Sequence, residues 1–315
     1  MTHPPYHLRP NKAADRFMLV EVLRVLAEGR GLSGYTYYGL GGPFLDDFRM
    51  MRDFFPKMRL VCIEREDNTH KRQKFHLPAR GVSLRKCDVA HFINWDFDGG
   101  EKEVFWLDYV ELAIARLGEF MTVLGKVGDE SIVKVTVPAK PPYAEPSVAD
   151  IEDFRRQYEE FAPADLGPSR FTREAPFAKL VQDMFQIAAQ KALPAVTGRT
   201  FQVICSTRYR DGAPMFTLTG IVSALAGAKE LRALYRRWPL ANLDWGDPRY
   251  IDVPILSVKE RLRLERHLPC RAGKAGTLAN VLGYRIDDDE ERSRAGLEQY
   301  AQFHRYSPYF AKILV

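Results

Sequence analysis

The cluster Gly39-Leu40-Gly41-Gly42 stands between a short aromatic and β-branched run, Tyr35-Thr36-Tyr37-Tyr38, and a helical stripe. Glycines at such a junction let the backbone approach a ligand closely, and the helix start beyond them offers unpaired N–H groups. Glu64 comes 23 residues after Gly41, at the end of the apolar run Leu60-Val61-Cys62-Ile63. A carboxylate there can accept both hydroxyls of a ribose. Asp88 follows a third short strand-like stretch and suits the amino group of an adenine. Asp108 closes Val104-Phe105-Trp106-Leu107, at the edge where ligands sit in open α/β folds. Each feature also has a plainer reading. The glycines can form an ordinary turn, Glu64 a solvated strand-end acid, Asp88 a turn or helix cap, and Asp108 a cap for a segment beginning near Val110.

Positioning these residues requires strands alternating with helices. The spacing predicts a helix over 13–27, a strand at 35–38, and a helix after the glycines with Phe44, Phe48, Met51 and Phe55 on its buried face. Pro43 suits its first turn, and Asp46 and Asp47 suit the positive end of its dipole. Strands follow at 60–63, before Cys87, at 104–108 and at 131–137, with helices at 67–77, 113–124 and 175–193. Residues 200–207 and 215–221, joined by Arg210-Asp211-Gly212, read as a hairpin. The expected fold is a doubly wound, mainly parallel α/β sheet of seven strands, closed by an antiparallel hairpin and spanning residues 1–222. A mainly helical appendage occupies 223–315. Between Pro138 and Pro176 fall seven of the twenty prolines and the acidic cluster Asp150, Glu152, Asp153, which reads as an insertion or lid.

Composition narrows the field. The 315 residues are 46% hydrophobic, which excludes disorder as the main state, and 46 basic against 41 acidic residues leave a mild net charge of +5. No apolar run is long enough for a membrane span and Met1-Thr2-His3-Pro4-Pro5 lacks the blocks of a signal peptide, so a cytoplasmic, membrane-free protein is expected. Cys62, Cys87, Cys205 and Cys270 are too dispersed for a zinc knuckle or disulfide framework. His70, His76 and His91 lack metal-site spacing, so no metal is expected. Phe44 occupies the position where a G-x-G-x-x-G fingerprint needs a small residue, which disfavours a nicotinamide cofactor. No triphosphate-binding G-x-x-x-x-G-K-[ST] element occurs.

From Tyr35 to Ile221 the chain resembles the class I S-adenosylmethionine-dependent methyltransferases. The resemblance rests on Tyr37-Tyr38-Gly39-Leu40-Gly41-Gly42, Ile63-Glu64, Cys87-Asp88-Val89, Trp106-Leu107-Asp108-Tyr109 and the terminal hairpin. It implies S-adenosylmethionine as cofactor, with Gly39, Gly41 and Gly42 in the cofactor loop, Glu64 on the ribose and Asp88 near the adenine. Where the family carries an acid facing the cofactor's amino group, this chain has Tyr37, read as the cofactor contact in its place. Asp108 is the candidate base for an oxygen or nitrogen acceptor, and Tyr109 either walls the methyl group or belongs to the core. No Asp/Asn/Ser-Pro-Pro-aromatic motif follows the fourth strand, so exocyclic amines of bases are not the indicated acceptors. Tyr37 also leaves open a methyltransferase-like module without catalysis, serving as a binding or assembly subunit.

Two outlying segments remain. The polar arm Tyr6-His7-Leu8-Arg9-Pro10-Asn11-Lys12 reads as a cover for the cofactor pocket or as a solvated leader. The basic stretch Lys259, Arg261, Arg263, Arg266, Arg271 and Lys274 alternates with Leu262, Leu264 and Leu268. This is a surface element with one buried face, or a contact for nucleic acid or an acidic protein.

Overall fold

In the computed structural model, which describes residues 9–77, 81–270 and 277–306, the Tyr-rich run is strand β1 (Thr36–Gly39), preceded by helix α1 (Pro10–Arg30). Alternation then proceeds through α2 (Asp46–Phe54), β2 (Arg59–Ile63), α3 (Asp67–Phe75), β3 (Val82–Arg85) and the single turn α4 (Val89–His91). It continues through β4 (Glu103–Asp108), α5 (Ile114–Lys126), β5 (Ile132–Pro138), α6 (Val148–Tyr158) and α7 (Glu174–Ala192). Strands β6 (Arg199–Arg210) and β7 (Pro214–Ala224) form the expected hairpin. Helix α8 (Ala228–Arg236), β8 (Arg249–Ile251), α9 (Val258–Glu265), α10 (Leu278–Leu282) and α11 (Glu290–Phe303) follow.

The sheet order is β3-β2-β1-β4-β5-β7-β6-β8. β1 pairs in parallel with β2 and β4, β4 in parallel with β5, and β7 inserts antiparallel beside β5. The doubly wound sheet with a terminal hairpin is therefore present, with eight strands where seven were expected, the short β8 being the addition. β4 and β5 are almost wholly buried, as strands covered on both faces must be. One face of the sheet carries Phe105, Leu107, Val133, Val135 and Val137, packed with Leu117 and Phe120 of α5 and Val181 and Phe185 of α7.

The insertion is not the irregular lid that its prolines suggest. Ser147 and Asp150 close a capping box at the start of α6, and Ile151, Phe154 and Tyr158 project from that helix into the main core together with Phe161 and Phe171. Helix α2 also differs from expectation. It begins at Asp46, after Leu45 in a left-handed conformation, so Pro43 and Phe44 lie in the preceding turn and only half-buried Phe44 touches the α3 side, against His76 and Arg72.

By its internal contacts the chain forms two compact units. The larger comprises 18–208 and 212–249; the smaller comprises 1–17, 209–211 and 250–315. The boundary drawn from the sequence at 222 falls inside the larger. Within the smaller unit, Asn11 gives its side-chain amide to the Arg210 carbonyl (3.1 Å) and accepts the Val253 N–H (2.7 Å), while Asp211 accepts the Lys12 N–H (2.7 Å). The arm residues Asn11 and Lys12 are thus buried helix residues; Tyr6, His7 and Leu8 lie outside the described residues.

In α9, Leu264 is buried as expected, but Arg261 is buried and Leu262 exposed, the reverse of what alternation suggests, because a helix places residues three apart on one face. Lys259, Arg263 and Arg266 are exposed; Arg271 and Lys274 lie outside the described residues. Among the described residues no helix is long and apolar enough to cross a membrane, and no group of three His, Cys, Asp or Glu is placed to hold a metal ion.

Candidate functional site

All the predicted site residues lie in the larger unit, and all but Tyr37, inside β1, stand at or just beyond the carboxyl ends of β1, β2, β3 and β4. Gly39 ends β1 and is in register with Cys62 on one side and Trp106 on the other. Glu64 and Asp108 are each two residues beyond those partners, so the two acids flank the glycine loop symmetrically.

The loop is held from below by close packing. A β-carbon on Gly41 would come within 2.8 Å of Cys62 Sγ and Phe48 Cε2 and 2.9 Å of Leu45 Cδ2, distances no side chain tolerates. A β-carbon on Gly39 would lie 2.7 Å from the Tyr37 hydroxyl oxygen. From α3, fully buried Gln73 donates its amide to the Gly41 carbonyl and, at 3.5 Å, to that of Gly42. Gln73 is a positioning residue that sequence reasoning missed, since nothing in the spacing of α3 marks it.

Tyr37 does not line the loop's outer surface. It is fully buried, and its hydroxyl donates to Asp47 Oδ2 at 2.7 Å while its ring meets Phe48 edge-on at 5.2 Å. The expectation of a direct cofactor contact is corrected on this ground: with no exposed surface, Tyr37 fastens the first turn of α2 to β1. Burial, and Asp47 nearby, push the Cys62 thiol far above its ordinary range, so Cys62 acts as packing rather than as a nucleophile.

Glu64 is half-buried, and its Oε1 accepts the Glu66 N–H at 2.7 Å. Burial raises its pKa, with that N–H pulling the other way. Asp88 does cap a helix: Oδ1 accepts the Ala90 N–H at 2.8 Å, and Oδ2 lies 3.6 Å from Arg65. Capping occupies one oxygen and leaves the other turned to Arg65.

For Asp108 the cap reading fails, because α5 starts at Ile114 with Ala113 as its N-cap. Asp108 is half-buried at the end of β4, opposite Thr136. That end is pinned by the Tyr109 N–H to the Thr136 carbonyl (2.9 Å) and by the Trp106 indole N–H to Thr136 Oγ1 (3.1 Å). Tyr109 is core: buried, hydroxyl on Glu119, with the Arg116 guanidinium 4.9 Å from its ring centre.

Beside these strand ends lies a cavity of about 260 Å³. It is lined by Leu112 after β4, Pro138, Lys140, Pro142 and Tyr143 after β5, Phe154, Gln157 and Tyr158 of α6, and Phe177 of α7.

A cofactor bearing adenine, ribose and an amino acid fits this frame. Close packing around buried Gly41 fixes the course of the loop, half-buried Leu40 and Gly42 flank it, and half-buried Glu64 and Asp88 follow in the order such a molecule needs. Strand order and hairpin together define the fold of class I S-adenosylmethionine-dependent methyltransferases. The profile of the family described as "Putative O-methyltransferase" matches residues 4–315, and the chain belongs to that family.

Solved structures of similar fold include Trm1 from Pyrococcus horikoshii with S-adenosyl-L-methionine (14% identity, 71% of this chain, 58% of that one, TM-score 0.49). Others are the plantazolicin methyltransferase BamL with a desmethyl analogue and SAH (9%, 66% and 85%, 0.42) and the N-methyltransferase NodS from Bradyrhizobium japonicum WM9 (8%, 67% and 97%, 0.37). The chain thus spans less than two thirds of the Trm1 chain. No curated protein matches the sequence.

Proposed function

We propose that the protein is an active, cytoplasmic methyltransferase that moves the methyl group of S-adenosylmethionine to an oxygen acceptor, with Asp108 receiving the acceptor's proton. The observation that carries this reading is the placement of Glu64 and Asp108 two residues beyond the register partners of Gly39. Two carboxylates on opposite sides of the glycine loop support a division into a ribose acid and a base. Bound S-adenosylmethionine would supply a methyl already activated as a sulfonium, whose sulfur would keep the electron pair of the broken S–CH3 bond, while the acceptor oxygen that gains the methyl would lose its proton. The protein's own part is then alignment and proton removal. Gly41 and Gly42, braced by Gln73, hold the cofactor's amino-acid end; Glu64 holds the ribose; Asp88 faces the adenine; and Asp108 stands at the reacting oxygen.

Calorimetry with S-adenosylmethionine and S-adenosylhomocysteine tests the reading: saturable heat from both is expected, and none from either at millimolar concentration would remove it. Replacement of the family's acid by buried Tyr37 favours one second reading, a binding subunit without turnover. Saturable binding with no methyl transfer to any acceptor would select it. Exposed Lys259, Arg263 and Arg266 support a contact for nucleic acid or an acidic protein, from which buried Arg261 drops out.

A further inference from the structure

The cavity beside the strand ends differs from the rest of the site in what lines it. Four aromatic rings, Tyr143, Phe154, Tyr158 and Phe177, share its wall with Leu112, Pro138 and Pro142. Phe154 is the hub, with its ring centre 4.5 Å from that of Tyr158, 6.4 Å from Phe177 and 5.0 Å from Phe171, which itself meets Tyr143 at 6.0 Å. Aromatic walls of this kind receive flat rings in stacked or edge-on contact. A cavity of about 150 Å³ accepts benzene, so about 260 Å³ holds one substituted ring or a compact pair of fused rings.

Lys140 is the single charged residue of the lining, and no carboxylate stands there to hold an ammonium ion. Asp150 and Asp153, whose field reaches Tyr143, are outside the lining and already engaged, Asp150 in the capping box with Ser147 and Asp153 with Arg156. The Tyr158 hydroxyl donates to the Leu112 carbonyl at 3.0 Å, which ties α6 to the segment after β4. Burial pushes that hydroxyl up to about 12, so it remains a neutral donor. Tyr143 has no hydrogen-bond partner among the described residues, and Gln157 is exposed at the cavity. The lining therefore offers one cation and three neutral polar groups, of which the Tyr158 hydroxyl is already bonded to Leu112, beside its aromatic rings.

We infer that this cavity takes a small aromatic ring bearing a hydroxyl and an acidic substituent, the ring against the aromatic wall and the acid at Lys140. Pro138 follows Thr136 by two residues, and Thr136 is the register partner of Asp108, so the cavity opens on the sheet end that carries the proposed base. This inference rests on the methyl-transfer reading for the identity of the pocket as the acceptor's. The ligand class rests on the lining alone.

The test is direct binding by calorimetry of 4-hydroxybenzoate, 4-hydroxybenzamide and cyclohexanecarboxylate to the full-length protein, with and without S-adenosylhomocysteine. 4-Hydroxybenzoate should saturate at millimolar concentration or below, 4-hydroxybenzamide more weakly, and cyclohexanecarboxylate not at all. Lys140→Ala, at an exposed position, should weaken 4-hydroxybenzoate roughly three- to tenfold and leave the amide unchanged. Gln157→Trp should fill the cavity and abolish both, with S-adenosylhomocysteine binding intact. Tyrosine-selective NMR of the unmodified protein is an independent readout: the Tyr143 and Tyr158 ring signals should shift together on titration. Equal binding of cyclohexanecarboxylate, indifference to Gln157→Trp, or S-adenosylhomocysteine binding without any aromatic probe would overturn the inference. Probe binding without S-adenosylhomocysteine binding would instead overturn the methyl-transfer reading and leave the ligand class standing.

Discussion

The hydroxyl of Tyr37 donates to the buried carboxylate of Asp47 across 2.7 Å, joining the middle of β1 to the first turn of α2 beneath the glycine loop. The position where the class carries a surface-facing acid is thereby turned into an internal brace. Tyr37→Phe keeps the ring's packing on Phe48 and removes this bond, so it should cost about 1–2 kcal/mol of stability in urea denaturation. S-adenosylhomocysteine affinity should fall little. A large loss of affinity at unchanged stability would mean that the hydroxyl reaches the ligand after all.

Gly41→Ala forces a carbon against Cys62, Phe48 and Leu45 at once. The expected cost is about 1–3 kcal/mol, with displacement of the loop and a matching loss of cofactor affinity. Adding Cys62→Ala removes one of the three contacts and should recover part of both, as a double-mutant cycle would measure.

Glu64→Gln separates affinity from stability. Losing a charge-assisted bond to the ribose should weaken S-adenosylhomocysteine by about 1.5–3 kcal/mol. The folded carboxyl has its pKa raised, mainly by burial. Its contribution to stability is thus complete below the unfolded pKa and is lost as pH rises through the folded one. At neutral pH the glutamine variant should melt no lower than wild type. Cofactor affinity of the wild type should weaken as acid protonates Glu64, and this pH dependence should vanish in the variant.

Asp108→Asn should leave S-adenosylhomocysteine binding and melting temperature nearly unchanged, because Asp108 caps no helix. Turnover on an oxygen acceptor should fall by roughly 10²–10⁴-fold, the usual worth of a positioned base, with partial recovery at high pH where the acceptor ionises unaided. Full activity in the variant would remove Asp108 from the proton's path.

What the sequence disclosed was local. β2 and β4 hold apolar runs ended by Glu64 and Asp108, so strand, boundary and acid could be read from one short window. Helix α6 was also legible in principle: Val148, Ile151, Phe154 and Tyr158 recur near helical spacing behind Ser147 and Asp150, but the density of prolines around them argued for irregular chain. In α9 the alternation of Leu and basic residues suggested a period of two where the chain follows 3.6. Gln73 and the Tyr37–Asp47 bond join residues distant along the chain, and only the three-dimensional neighbour gives them meaning.

The amide of Asn11 ties together the N-terminal helix, the hairpin tip and the residues entering the C-terminal segment. Neither compact unit is continuous in sequence, so no single peptide bond divides them, and the protein is not modular in the sense of two parts that can be produced apart. A fragment stopped at residue 222 would retain Asn11 but lose the Val253 N–H that its side-chain oxygen accepts, exposing a polar group built to be covered. Mixing such a fragment with its complement would require chain segments from both ends to find each other between molecules, a concentration-dependent step that the intact chain makes internal.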